Sequence, residues 1–438
     1  MNLNHIHRHT AAFICILILA AGFVDQAFAK KPTNVILILA DDVGFEGLGC
    51  FGGRSYQTPR LDDLASQGMK AMHCYSMAVC HPTRVCLLTG KYPFRTKNPK
   101  WGSFPKDHES TTIASVLKDA GYRTAVSGKW QLSLLSKDLD QPHRMGFEQY
   151  CLFGWHEGPR YHSPMIFENG KQRDGLEKGY GPDEYRKFIE GFISQDDDRP
   201  FFVFYSMALC HDVTDDLDAP VPHGPDGRYL NYSEMIADMD KQVGQLMQFI
   251  QSSKHADNTL VIFTTDNGTP SRYIARAEGE KLVRLPIESN LNGEMRLGGK
   301  GKLTDAGTRA PTIFWMPEVV EAGRETDQLI DFTDWYATLL DVGNARLPRG
   351  YQIDGISCVD TILGDSSKRT VAFAEHGKRY FLRDQRWKLY NNGDLYDVQT
   401  APDESMPFVP KTDSRDSALA RQRLSDQMRK MGLPQSIR

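Results

Sequence analysis

The most constraining feature of this chain is a strand with no side left for water. Val35-Ile36-Leu37-Ile38-Leu39 is apolar at every position. A strand solvated on one face alternates apolar and polar residues, so an unbroken run requires cover on both faces. That is the setting of a central parallel strand packed between helices. Residues 201–205 read as another buried strand, and 260–264 as a further continuous β-prone run. Helical stretches lie between these runs. Thr58-Pro59 opens one that stops at Gly68, with a capping residue first, proline in the first turn and glycine at the end. Thr111 and Thr112 open another that stops at Gly121, ahead of a short strand over 124–127, and residues 232–250 have helical periodicity. Alternating strands and helices predict an α/β fold: a large, mostly parallel central sheet flanked by helices.

The texture changes after residue 355. Residues 380–383, 387–390 and 395–397 read as short strands, with turn chemistry in Asn391-Asn392-Gly393-Asp394. A small antiparallel sheet is expected there, followed by a terminal helix over 414–430. For 438 residues this gives a large domain over 30–355 and a smaller C-terminal subdomain over 356–438.

Residues 1–29 read as an export signal. Arg8 precedes an apolar run over 11–24, which is too short to span a bilayer comfortably, and Ala27-Phe28-Ala29 is a small-x-small cleavage pattern. The mature chain is expected to start near Lys30, exported to the periplasm or secreted, with no stable membrane anchor. The formal net charge is −4, which argues against nucleic acid as a partner. Seven cysteines remain beyond the signal, an odd number in an exported chain, so six of them could form up to three bridges.

Two of the buried runs end in acidic residues: Asp41-Asp42 follows the first, and Asp266-Asn267 follows the one at 260–264. Open parallel sheets bind ligands at the carboxyl ends of their strands. Three carboxylates and an amide oxygen are hard ligands that suit Ca²⁺ or Mg²⁺ rather than zinc. Either pair alone would serve equally well as a helix cap. Asn267-Gly268-Thr269 also matches a glycosylation sequon, a pattern of low specificity. The third element is Cys80-His81-Pro82-Thr83-Arg84, followed by Leu88-Thr89-Gly90.

With that motif behind two acidic strand ends, the chain resembles the type I sulfatases of the alkaline phosphatase superfamily, over nearly its whole mature length. Thr58-Pro59-Arg60-Leu61-Asp62, Gly128-Lys129-Trp130, Gly299-Lys300-Gly301 with Arg309-Ala310-Pro311, and Asp354-Gly355-Ile356-Ser357 match family segments in order. The resemblance implies an alkaline phosphatase-like sheet. It also implies that a formylglycine-generating enzyme oxidises Cys80 to formylglycine during export, which would account for the odd thiol. The hydrate would be the nucleophile toward an organic sulfate ester, expected to be a sulfated carbohydrate. One hydroxyl attacks sulfur, and the other then expels sulfate by collapse to the aldehyde.

The same resemblance implies that Asp41, Asp42, Asp266 and Asn267, with the side chain at position 80, hold a divalent cation, calcium ahead of magnesium. Arg84 would fix the hydrate, Lys129 and Lys300 would clamp sulfate oxygens, and His211 or Lys300 would protonate the leaving oxygen. One position departs. Where the family commonly has histidine after Gly-Lys-Trp, this chain has Gln131, which hydrogen-bonds but takes no proton near neutral pH. Gln131 is therefore expected to touch substrate, and His81 is a candidate base. Trp155-His156-Glu157 and Arg160-Tyr161-His162 form an aromatic, histidine-rich loop, so His156 and His162 are expected to contact the substrate; His376 could also reach the pocket. Two rival readings stand beside the sulfatase: a phosphatase or phosphonate monoester hydrolase on the same scaffold, and a non-catalytic binder of sulfated glycans.

Overall fold

The computed structural model of the chain describes residues 33–154, 156–212, 230–279 and 281–433. The export signal expected at 1–29 and Trp155 lie outside them.

The unbroken apolar run forms β1 (Asn34–Ala40), buried at every position. It lies inside a ten-stranded sheet. The strands that follow in the chain are β2 (Met69–Tyr75), β3 (Arg123–Lys129), β4 (Gln149–Phe153), β5 (Phe167–Glu168), β6 (Lys171–Gln172), β7 (Phe201–Ser206) and β8 (Thr259–Thr265). Two hairpins then stand outside the sheet: β9 (Arg272–Glu278) with β10 (Lys281–Pro286), and β11 (Glu288–Leu291) with β12 (Glu294–Leu297). The chain returns to the sheet as β13 (Thr312–Trp315) and β14 (Arg324–Asp331). Across the sheet the order is β14-β2-β13-β8-β1-β7-β3-β4-β5-β6. Pairing is parallel through β8, β1, β7, β3 and β4, and again between β14 and β2. β13 is antiparallel to both β2 and β8, so β2 runs in the direction of the central strands. The carboxyl ends of β1, β2, β3, β7 and β8 therefore share one edge.

The side chains of β1 show why the run has no polar position. Val35, Leu37 and Leu39 belong to one apolar layer, with Val85, Leu88, Ile113 and Leu339. Ile36, Ile38 and Ala40 belong to the other, with Leu61, Leu64, Ile189 and Val243. The first layer is roofed by helices Cys80–Thr89, Ile113–Asp119 and Asp334–Val342, the second by Pro59–Ser66, Gly181–Ile193 and Tyr232–Gln251. Local chemistry starts several of them. Asn231 and Glu234 form a reciprocal capping box on Tyr232–Gln251, and the Thr112 hydroxyl accepts from Ser115 N at 3.2 Å. Thr58 precedes its helix as expected, but its hydroxyl accepts from Gly49 N at 2.9 Å and does not cap.

The C-terminal part is an antiparallel meander of β15 (Ala372–His376), β16 (Arg379–Arg383), β17 (Trp387–Tyr390) and β18 (Leu395–Asp397), closed by the helix Arg415–Lys430 with Ser414 as its cap. β15 escapes sequence reading because Ala372 and Ala374 give its short run little strand character. This sheet does not stand apart. Ala372, Phe373, Phe381 and Leu382 belong to the same apolar layer as Leu37. Arg369, just ahead of β15, is buried against Asp334 with Nε–Oδ2 at 2.6 Å. All seven cysteines among the described residues are free and six are buried, so the bridges open to six of them do not form. No helix of the described residues is long and apolar enough to cross a membrane.

Candidate active site

Register brings the two acidic strand ends together. β1 and β8 are adjacent and parallel with Ala40 opposite Thr265, so Asp41 and Asp266 leave the sheet side by side. The Asp42 amide donates to Asp266 Oδ1 at 3.2 Å, and Asn267 Nδ2 donates to Asp42 Oδ1 at 2.7 Å. Asp42 takes a left-handed conformation, φ 63°, which short polar residues tolerate best. On the same edge β2 leads into Cys80, the first residue of Cys80–Thr89. Ligand atoms of Asp41, Cys80 and Asp266 lie within 4.8 Å of one another, all fully buried.

The basic groups converge from four segments. β3 delivers Lys129, whose ammonium pairs with Asp41 Oδ2. Its position depends on Gly128 (φ 102°), where an added Cβ would lie 2.0 Å from the Ser206 carbonyl oxygen on β7. Lys300 Nζ reaches Asp42 Oδ2 at 2.6 Å, and Gly301 N ties that turn to Ala78 O at 2.9 Å, two residues before Cys80. Arg84, one turn into the helix, binds Asp266 Oδ2 through Nη2 at 2.8 Å and the Ser206 hydroxyl through Nη1. His211, beyond β7, has Nε2 3.8 Å from Asp42 Oδ2.

Three acidic side chains thus face two lysines and an arginine in a buried site, which can admit a cation and an anion together with little change in net charge. The carboxylates are pushed apart in proton affinity. Burial works against ionisation of Asp41, but Lys129, His211, Arg84 and Lys300 together hold its carboxyl below the usual range. Burial, reinforced by Asp41, raises Asp266 to about 7 despite Arg84. Burial pushes the Cys80 thiol up, against Lys129 and Lys300. Burial and Lys300 hold His211 down.

Asp41 Oδ1 and Asn267 Oδ1 are buried without any hydrogen-bond partner. Burying such acceptors unpaired is costly, and a hard divalent cation is the ligand that oxygen donors of this kind satisfy. The donor set therefore fits a divalent cation. Asn267 is fully buried, which rules out its use as a glycosylation sequon in the folded chain.

The remaining candidates are placed differently. Gln131 is buried in a left-handed conformation, φ 61°, with Oε1 unpartnered. His81 is occupied elsewhere: Nε2 meets the Ser103 carbonyl at 2.8 Å and the ring stacks on Trp101. His162 packs on Tyr180, with ring centroids 4.9 Å apart. His156 is exposed. The loop they share meets the site through two other residues. Arg160 Nη1 lies 3.4 Å from His211 Nδ1, and the Tyr161 hydroxyl donates to the carbonyls of Ala208 and His211 at 2.9 and 2.7 Å. Ser206, which orients Arg84 and donates to Lys129 O at 2.5 Å, carries no motif by which sequence could single it out.

An open α/β sheet with this constellation at its carboxyl edge defines an ester hydrolase of the alkaline phosphatase superfamily. The family model described as Sulfatase matches residues 33–345. The chain belongs to the sulfatase family and is a sulfuric ester hydrolase. It is 29% identical over 390 residues to dog (Canis lupus familiaris) N-acetylgalactosamine-6-sulfatase, covering 80% of this chain and 69% of the relative. It is 28% identical over 379 residues to human (Homo sapiens) arylsulfatase A, covering 80% and 70%. The solved structure of BT4656 in complex with its substrate D-glucosamine-2-N,6-O-disulfate shares the fold, with TM-score 0.70 and 18% identity over 92% of this chain and 97% of that one.

Proposed function

We propose that this chain is an exported sulfatase that removes sulfate from a sulfated carbohydrate, with Cys80 converted to formylglycine by a formylglycine-generating enzyme. The carbohydrate is supported by the similarity to an N-acetylgalactosamine-6-sulfatase and to a fold-mate solved with a sulfated glucosamine. Asp41, Asp42, Asp266 and Asn267 would hold a divalent cation, calcium ahead of magnesium, which when bound supplies Lewis acidity toward a sulfate oxygen. The formylglycine hydrate supplies two hydroxyls on one carbon, one to attack sulfur and one to expel the sulfate.

The chain's own residues do the positioning. Arg84, locked by Asp266 and Ser206, holds the position-80 side chain at the start of its helix, where backbone N–H groups favour an anion. Lys129 and Lys300 give donors to the non-bridging sulfate oxygens as their charge grows. His211 and Lys300 flank Asp42, and one of them delivers the proton to the leaving oxygen. Gln131 offers a hydrogen bond to the diol or the sulfate but no base. The C-terminal subdomain proposed over 356–438 meets the turn that carries Lys300 through His376. His81 and His162, held by Ser103 and Tyr180, and the exposed His156 keep only the role of outer substrate contacts in this reading.

The observation that carries this reading is the pair of unpartnered buried oxygens, Asp41 Oδ1 and Asn267 Oδ1, at an acidic cluster in which Asp41 and Asp266 adjoin Cys80. Mass spectrometry of the peptide spanning Cys80, from exported protein, should show the aldehyde. Cys80→Ala should lower kcat on an aryl sulfate by about a thousandfold or more with the fold intact, and chelation should abolish turnover. An unmodified thiol in active enzyme overturns the nucleophile. Faster turnover of the matched aryl phosphate favours the phosphatase reading, and tight sulfated-glycan binding without turnover favours the binder.

A further inference from the structure

The turn that carries Lys300 continues into a cavity. It has a volume of about 580 Å³ and lies between residues 301–304 and the C-terminal meander. Its walls hold three basic side chains: Lys302 from the catalytic turn, and His376 and Arg379, cross-strand partners at the tip of the β15–β16 hairpin. All three are exposed. Neither Lys302 nor Arg379 pairs with an acid among the described residues. His376 Nδ1 meets the Gly301 carbonyl at 2.8 Å, and since a carbonyl only accepts, that nitrogen is the donor and the ring is fixed in place.

The acid in the wall, Glu404, is already neutralised. Its Oε1 is 2.7 Å from the buried Lys388 ammonium and its Oε2 takes the Tyr390 hydroxyl at 2.5 Å. The cavity is therefore electropositive. It also has an aromatic wall: Tyr396 stands edge-on to Tyr390 at 5.6 Å, and the Arg379 guanidinium lies 5.8 Å from the Tyr390 ring. Uncompensated cations, an aromatic face and a fixed imidazole suit a sugar ring that bears an anion.

We propose that this cavity is a subsite for a second, anionic sugar residue of the substrate, one bearing a sulfate or a carboxylate next to the sulfated residue being hydrolysed. The inference rests on the sulfatase reading of the neighbouring site, and it narrows the substrate from a sulfated carbohydrate to a polyanionic oligosaccharide. Lys302 and Arg379 read the second anion, and Tyr396 carries the ring.

The test uses the full chain with three oligosaccharides that share the attacked sulfate and differ in the neighbouring residue: sulfated, uronic or neutral. Wild-type kcat/KM should be about tenfold higher for at least one anionic neighbour than for the neutral one. The Lys302→Ala/Arg379→Ala variant should erase that ratio, chiefly through KM. Which anionic substrate gains tells sulfate from carboxylate. Equal kcat/KM on all three, or a ratio unchanged in the variant, overturns the subsite. Binding by calorimetry in a Cys80→Ala background needs no turnover, so it separates the two claims. A tenfold preference for the anionic oligosaccharide that vanishes in the variant upholds the subsite even if the catalytic reading fails. No preference there sinks the subsite even if turnover is normal.

Discussion

At the scale of single residues, Glu375 isolates the effect of burial on one carboxyl. It lies in β15, 8% exposed, and its Oε1 accepts from Phe94 N at 2.7 Å. Burial raises it from the ordinary 4.5 to about 7, with that hydrogen bond opposing. A native pKa above the unfolded one means the folded state binds the extra proton. The favourable contribution is whole below about pH 4.5 and is lost as pH climbs through 7. Glu375→Gln keeps an acceptor for Phe94 N and removes the titration. Its melting temperature should match wild type at pH 4 and exceed it by several degrees at pH 8, on the order of 2 kcal/mol. A parallel pair of pH–stability curves would refute the assignment. Gln131 illustrates the opposite kind of residue, buried with an unpaired oxygen and no charge to titrate. Its left-handed backbone suits histidine at little cost. Gln131→His should therefore fold normally and add a new ionisation near pH 6–7 to the kcat profile. An unchanged profile shape would place the side chain away from the reacting atoms.

At the scale of elements, catalytic geometry depends on how closely β3 and β7 approach. Gly128 faces Ser206, and a methyl group there would collide with a backbone carbonyl that cannot swing aside. Gly128→Ala combines that clash with a backbone angle that L-residues avoid, so it should cost about 3 kcal/mol in urea denaturation. Residual soluble protein should lose activity beyond its loss of folded fraction, because Lys129 is the next residue. A variant stable to within about 0.5 kcal/mol would show that the strands have room to part. The helix Cys80–Thr89 shows how much of an element is readable in advance. Its motif marks its start, and Gly90 in the left-handed region ends it. Which strands flank it, and hence that Thr83 Oγ1 reaches the Asp266 carbonyl at 2.8 Å, is a matter of sheet order.

For the whole molecule, the two sheets are joined by a shared apolar layer and by buried charge. Arg369 binds Asp334 through Nε and Nη2, and also donates to the Asp354 carbonyl at 3.1 Å. Arg369→Met leaves Asp334 buried without its partner and should cost about 3–5 kcal/mol. Unfolding followed by Trp fluorescence and by far-UV circular dichroism should stay coincident, since one core spans both sheets; separated transitions would show two independent units. The buried central strands, the helices over 58–68, 111–121 and 232–250, three strands of the C-terminal meander and the acidic strand ends could be read from local pattern, because periodicity and capping act over a few residues; β2, β4 and β15 could not, since their runs are mixed or short. The family could be read from motifs in order. What local pattern does not contain is convergence. That Asp41 meets Asp266 follows from the β1–β8 register, and that Arg160 rather than His162 approaches His211 follows from how a loop folds back. That the cysteines stay apart, and that a basic cavity opens beside Lys300, follow from where distant segments pack. Element identity is written in neighbouring residues, whereas a site is made by side chains up to 258 positions apart, such as Asp42 and Lys300, and only the assembled sheet sets their distance.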